Sequence, residues 1–273
     1  MPFFDLYHCN QCNLYFAVGG ITNEKLKKIY NKDYFRFWHG TTPTLTKEVK
    51  DNVRKMKKKT FASYLKLVEN LTTLNGKKLL DIGCATGFLL ELAKEKGCDC
   101  YGTEISTFAA KEAEKKFPGK IYCGDFEKMP YKKTGFDIIT MADVIEHLPN
   151  PISILQKVKK ILKPNGYLII VTPNIASFWA KILGKRWTNF KEEHIYYFSP
   201  KSLKILSQKS NLQIIHEKSV SKFLTLEYIY SHFRTYPTPF LGLVSNVFLL
   251  LPKFIQRLPF PIKTGDYLML LKN

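Results

Sequence analysis

Leu79 to Ala93 reads LLDIGCATGFLLELA. Its start, LLDI, has the apolar character of a buried strand, and its end, FLLELA, has the spacing of a helix. Between them stand Gly83 and Gly87, four residues apart. Without a Cβ, such residues let the backbone turn sharply and let a ligand approach closely. In an open α/β fold this turn lies at the carboxyl edge of the sheet, where ligands bind. A purely structural glycine turn would look the same, so a second feature must decide. That feature is Glu104, about 20 residues on at the end of the next strand, where a carboxylate can accept both hydroxyls of a ribose. The pair points to an adenosine-type ligand.

Reading outward, the order is regular. KKLLDIG, CDCYGTEI, KIYCGD, FDIITMAD and GYLIIVTP read as strands, while GFLLELAKEKG, STFAAKEAEKKF with Ser106 as N-cap, and PISILQKVKKILKPNG read as the helices between them. Uniformly apolar strands alternating with helices predict an α/β fold, a parallel sheet covered on both faces. SPKSLKILSQKSN adds a helix, and LQIIHEKSV and GDYLMLLKN add two strands. A basic stretch near Arg54 to Thr60 opens a helix expected to run to Leu74.

The 273 residues, 45% hydrophobic and 14% aromatic, exclude a disordered chain and suffice for one large α/β domain with additions. The formal charge of +19 has two readings: solvated lysine faces, or a preference for anionic partners such as a phosphorylated substrate or an acidic membrane surface. No compact RNA-binding signature is present, so no specific nucleic acid is expected. The N-terminus lacks the pattern of a secretory signal, and no stretch reaches the roughly 18 apolar residues of a membrane span. Six cysteines in mostly apolar settings read as reduced thiols, and the expected location is cytoplasmic.

The successive motifs LLDIGCATG, Glu104 in YGTEIS, CGDFEKMP, FDIITMADVIEHLPNP and LKPNGYLIIVTPN resemble those of class I S-adenosylmethionine-dependent methyltransferases over about residues 76 to 215. The ubiquinone-biosynthesis-type and sugar- or polysaccharide-modifying small-molecule enzymes are the most similar. The resemblance implies a Rossmann-like, seven-stranded, mostly parallel sheet whose last strand, GDYLMLLKN, is antiparallel, and S-adenosyl-L-methionine as cofactor. On it, Asp81 and Gly83 hold the amino-acid portion, Glu104 the ribose, Asp125 the adenine amine, and Phe126 covers the ring. Cys84, Gly87, Ile105 and Ala142 complete the implied cofactor set. Ala85 stands where many members have a middle glycine. Dinucleotide oxidoreductases share the strand-glycine-helix logic, but their G-x-G-x-x-G is here G-C-A-T-G-F, and they leave GDFEKMP unexplained. For Asp125, a turn cap is the plainer alternative.

Methyl transfer to a hydroxyl needs a proton acceptor, and His147, just beyond the fourth strand, is suited to it with an ordinary pKa near 6.5. Its alternative role is to shape the cofactor pocket, and an amine acceptor would need no base. In the ubiquinone-type relatives, positions matching Asp143, Glu146 and His147 can hold a divalent ion; no metal is expected here. His194 in EEHIYYFSP is the second catalytic candidate, with Tyr196, Tyr197 and Phe198 as an acceptor pocket. In the alternative, Ser199 and Pro200 merely start a helix over His194. Trp179 and Trp187 are expected on a lid.

Four segments follow: a lead-in and cofactor cap over residues 1–60, the methyltransferase core over 61–220, an apolar insertion over 221–263, and the last strand over 264–273. Cys9 and Cys12 form a C-x-x-C that resembles the second half of a zinc ribbon, but with no second pair no zinc is expected. Tyr30, Tyr34 and Phe35 are expected to begin the cap. The insertion either packs as a cap on the sheet or a partner subunit, or docks peripherally on the inner membrane face with Lys253, Arg257 and Lys263 at the headgroups. The expected function is methylation of a small-molecule acceptor, O-methylation of a sugar, polyprenyl or lipid-linked substrate. An N-methyltransferase and a non-catalytic cofactor-binding module are the alternatives.

Overall fold

The structure, a computed structural model, describes residues 5–18, 28–30, 47–130, 135–235 and 250–273. Tyr34, Phe35 and much of the apolar insertion lie outside these residues.

A seven-stranded sheet organises the chain. Its members are β3 (Lys78–Ile82), β4 (Asp99–Glu104), β5 (Ile121–Cys123), β6 (Phe136–Ala142), β7 (Leu162–Pro173), β9 (Gln213–Leu224) and β10 (Phe260–Lys272), in the order β5-β4-β3-β6-β7-β10-β9. The pairs among β3 to β7 are parallel, and β10 is antiparallel to both of its neighbours, β7 and β9. The expected α/β class with an antiparallel last strand is therefore what forms. Between β3 and β6 the order of strands reverses direction, which opens a crevice at their carboxyl ends.

Strand pleating explains the continuous apolar runs. Leu79, Ile138, Ile169 and Leu270 enter one core with Leu65 and Val68 of α1 (Lys47–Glu69) and Leu89 and Leu90 of α2 (Phe88–Glu95). Their next neighbours Leu80, Ile139, Ile170 and Leu271 enter the opposite core, under α4 (Pro151–Ile161) and α6 (Pro200–Lys209). Alternate side chains of a strand point to opposite faces, so a sheet covered twice requires apolar residues at every position. Burying each such side chain contributes about 1.5–3 kcal/mol.

Some boundaries differ from expectation. The helix expected to reach Leu74 ends at Glu69 and begins at Lys47, so it runs across residue 60. The helix after β6 stops at Ile161, because Pro164 can neither donate a backbone bond nor tolerate a helical residue before it, and β7 begins at Leu162. Strand β9 continues to Leu224 and β10 begins at Phe260, so both take residues expected in the insertion; α7 (Leu226–Thr235) follows β9.

A second, three-stranded sheet joins the lead-in to the core. β1 (Leu6–Cys9) and β2 (Leu14–Ala17) form a hairpin in which Cys9 ends β1 and Cys12 lies in the turn, and β2 pairs with β8 (Tyr196–Tyr197). This part of the lead-in thus docks beside β8, while Tyr30 and α1 reach the crevice.

Candidate active site

The carboxyl ends of β3, β4 and β6 meet in one cavity of about 520 Å³. Asp81, the third β3 residue of LLDI, is buried and accepts a hydrogen bond from Thr140 Oγ1 at 2.6 Å. Burial pushes its pKa up to about 7, against the Thr140 bond and with the charge of Glu104. Gly83 follows with φ +74°, and a Cβ there would lie 2.5 Å from Val144 Cγ2, so only glycine lets the loops after β3 and β6 close on each other. Ala85 adopts φ 48°, a left-handed conformation that costs a non-glycine residue roughly 1–2 kcal/mol. Its strained amide has a use. It donates to Glu104 Oε2 at 2.9 Å, and Ser106 N donates to Glu104 Oε1 at 2.8 Å.

Glu104 is 5% exposed, and burial raises its pKa while the Ser106, Ala85 and Ile105 amides oppose the rise. The two carboxylate oxygens offer about four acceptor directions, more than these amides use, so the group can still accept from a ligand. Asp125 caps the turn Phe126–Lys128 by accepting from Glu127 N at 2.9 Å, and it also lines the cavity. The cap and the ligand-facing position therefore coexist. Phe126 lines the same end, with Lys157 Nζ 5.0 Å from its ring centroid. Cys84, Ile105 and Ala142 also line the cavity; Gly87 does not, but starts α2 with φ +85° against Phe117. The donors and acceptors fit a ligand carrying vicinal hydroxyls and an ammonium group.

Next along the cavity come His147 and His194, their ring centroids 4.7 Å apart. His147 Nδ1 is 2.8 Å from the Glu193 carbonyl, which can only accept, so Nδ1 carries the hydrogen and Nε2 keeps its lone pair. The Tyr30 hydroxyl stands 3.0 Å from Nδ1 and 3.4 Å from Nε2. Burial pulls His147 down to about 4, outweighing the Glu193 bond, so the ring is neutral at physiological pH. Glu146 makes no hydrogen bond to this ring. Its Oε1 lies 3.9 Å from Nε2, and its Oε2 accepts from Thr172 Oγ1 at 2.9 Å. Burial first, then the charge of Asp143, pushes Glu146 up to about 8, so it carries a proton at neutral pH.

His194 is 4% exposed with its pKa far below the ordinary value, through burial and then the neighbouring His147, and its Nδ1 lacks a hydrogen-bond partner. Glu146, His147 and His194 offer ligand atoms within 4.8 Å of one another, the one such group among the described residues. Asp143, the other acid of the motif, is engaged elsewhere: Lys222 Nζ lies 3.1 Å from its Oδ2.

The expected aromatic acceptor pocket is not formed. Tyr196, Tyr197 and Phe198 do not line the cavity; Tyr197 packs with Trp187 and Phe190, and Phe198 enters the core under α6. Ser199 caps α6 in a capping box with Ser202. Trp187, 2% exposed, is the centre of an aromatic cluster, whereas Trp179 is 38% exposed and donates from Nε1 to the Lys263 carbonyl at 2.8 Å. Both also line the cavity. Lys57, Lys222 and Asp266, which no motif of the sequence marked, line its far wall. Asp266, a lone acid before the apolar run YLMLL, is the one visible signal.

A glycine turn at the strand reversal, followed by a buried acid on the neighbouring strand, defines an α/β domain that binds a nucleoside-type ligand. Residues 53–217 match the methyltransferase domain family, and the chain belongs to it. It is 34% identical over 115 residues to the ubiquinone biosynthesis O-methyltransferase of Coxiella burnetii, covering 40% of this chain and 49% of that protein. The same-named protein of Actinobacillus pleuropneumoniae is 32% identical over 126 residues, 42% and 54% of the two chains. The matches thus span about half the length of these curated relatives. Among solved structures, magnesium protoporphyrin IX methyltransferase from Synechocystis, with bound SAH, aligns over 92% of this chain and all of that one, with a TM-score of 0.60 and 14% identity. A SAM-dependent methyltransferase from Archaeoglobus fulgidus aligns over 81% and 94%, with a TM-score of 0.54 and 20% identity. At these identities the structural matches establish the fold.

Proposed function

We propose that this methyltransferase uses S-adenosyl-L-methionine to methylate a hydroxyl of a small-molecule acceptor, a sugar, polyprenyl or lipid-linked compound. One observation carries the reading: the cavity that begins at Asp81 and Glu104 continues without interruption to His147 and His194. When bound, the cofactor supplies a methyl group on an electrophilic sulfonium. Glu104 accepts the ribose hydroxyls, Asp81 faces the ammonium group, and Asp125 and Phe126 take the adenine. Cys84, Ile105 and Ala142 shape the walls. His147 Nε2, which keeps its lone pair, takes the proton of the acceptor hydroxyl, and His194 buttresses its ring. No step of this scheme uses a metal. The test is transfer of label from methyl-labelled cofactor to an extract of small molecules and lipids. Label in an extractable hydroxyl compound is expected; cofactor binding without any transfer would leave a non-catalytic binding module instead.

Part of the reading concerns location: a cytoplasmic protein held at an anionic membrane surface. No helix among the described residues is long and apolar enough to cross a membrane. Phe178, Ile182, Leu250, Phe254 and Leu258 are exposed, 58% to 83% of their surface facing out, and Lys253 and Lys263 are exposed near them. Arg257, expected at the headgroups, is instead engaged by Glu48 and Glu227. Sedimentation with phosphatidylglycerol vesicles should therefore be salt-sensitive and weaken about fivefold for each of Lys253 and Lys263 changed to Gln, at ~1 kcal/mol per charge. Absence of binding at low salt would remove the membrane from the proposal.

A further inference from the structure

Beyond the histidines, α1 and the ends of β9 and β10 wall the cavity. Phe223 N donates to Thr60 Oγ1 at 2.9 Å and Thr225 N to Met56 Sδ at 3.1 Å, so the helix and the strand end are tied together. This wall is apolar, with Met56, Phe223, Leu224, Ile229 and Ile262. Lys57, Lys191 and Lys222 line this part of the cavity together with Asp143 and Asp266, and Glu146 nearby holds a proton.

Lys222 accounts for both acids, 3.1 Å from Asp143 Oδ2 and 3.0 Å from Asp266 Oδ1. Asp143 keeps 45% of its side-chain surface, but that surface opens on the cavity. Lys57 makes no hydrogen bond or ion pair among the described residues. Burial pulls it down to about 8; Asp143 supports its charge, and Lys222 and Lys191 oppose it. A charged group enclosed in this way is stabilised by an incoming anion.

We propose that Lys57, backed by Lys191 and Lys222, is an oxyanion subsite, and that the acceptor is an amphiphile whose apolar body lies on the α1–β9 wall while its phosphate or carboxylate meets Lys57. The inference rests on the methyltransferase reading of this cavity and narrows its substrate class. A neutral acceptor of the same shape would leave the Lys57 charge uncompensated, so the wall discriminates by charge as well as by apolar contact.

Calorimetry on the full chain tests this with octyl phosphate, octanol and inorganic phosphate, each titrated with and without S-adenosylhomocysteine. Octyl phosphate should bind about tenfold or more tighter than either of the other two, the scale of one charged hydrogen bond. Lys57→Gln should abolish its advantage over octanol, Lys57→Arg should retain it, and both should bind S-adenosylhomocysteine as the parent does. Equal binding of octyl phosphate and octanol, or an advantage that survives Lys57→Gln, would overturn the subsite. Inorganic phosphate binding as tightly as octyl phosphate would overturn the amphiphile. Failure of S-adenosylhomocysteine to bind would count against the methyltransferase reading alone, since the octyl phosphate titration without it still reports on Lys57.

Discussion

Glu104→Ala is expected to weaken S-adenosylmethionine binding by about 30- to 1000-fold, the equivalent of 2 to 4 kcal/mol for two hydrogen bonds to a charged acceptor. The structure adds a second expected effect. The same carboxylate receives the amides of Ala85 and Ser106, and the substitution leaves both without that partner. Unsatisfied buried donors cost about 1–3 kcal/mol each, so the variant should also unfold at lower denaturant. Cofactor binding should fade on acidification at a higher pH than an ordinary glutamate would dictate, because burial raises the Glu104 pKa and the protonated acid has lost acceptor capacity. Calorimetry and denaturant unfolding of the same sample separate the two effects. Unchanged cofactor affinity in a folded variant would remove Glu104 from the site.

His147→Ala should lower turnover by about 10² to 10⁴ with cofactor affinity little changed, the usual range for loss of a positioned base. From sequence alone, the rate would be expected to climb with pH near 6.5. The structure moves that limb: with His147 pulled down to about 4 by burial, the ring already has its lone pair throughout pH 5 to 8. At saturating cofactor, the limb due to His147 should be absent there and appear only as pH drops through about 4, where Nε2 becomes protonated. The same shift acts on stability. A histidine held neutral by the fold contributes stability above its ordinary pKa that is lost as pH falls from 6.5 towards 4, and His194 shifts in the same direction. A His147→Ala enzyme of near-normal turnover would pass the role to His194, or to no base and an amine acceptor.

That Asp81, Gly83, Glu104 and Asp125 gather at one end of the cavity was readable because they are close in sequence and each motif has a local cause. Gly83 needs a positive φ, Glu104 ends a strand, and Asp125 caps a turn. The far wall was not. Lys57 comes from α1, Lys222 from β9 and Asp266 from β10, and only the antiparallel insertion of β10 between β7 and β9 brings them together. Local pattern also misplaced Tyr196 to Phe198. An aromatic run beside a histidine suggests a pocket, but alternation on β8 and a capping box at Ser199 turn those rings into packed cores. The pKa of His147 is a through-space property of the same kind. It depends on enclosure beside Tyr30, Glu193 and His194, which no spacing in VIEHL encodes.

The bonds from Phe223 to Thr60 and from Thr225 to Met56 join residues 163 and 169 positions apart. A chain made from its N-terminus has Gly83, Glu104 and Asp125 available long before Lys222 or Asp266 exists. Contacts of such long range form late, because loop-closure entropy must be met before they contribute. On a nascent chain, the glycine-turn half therefore matures from neighbouring βα units, and although Leu65 and Val68 of α1 can already pack with α2, the edge of α1 at Met56 and Thr60 waits for the last two strands. That interval, rather than the finished enzyme, is when this protein is most exposed to aggregation.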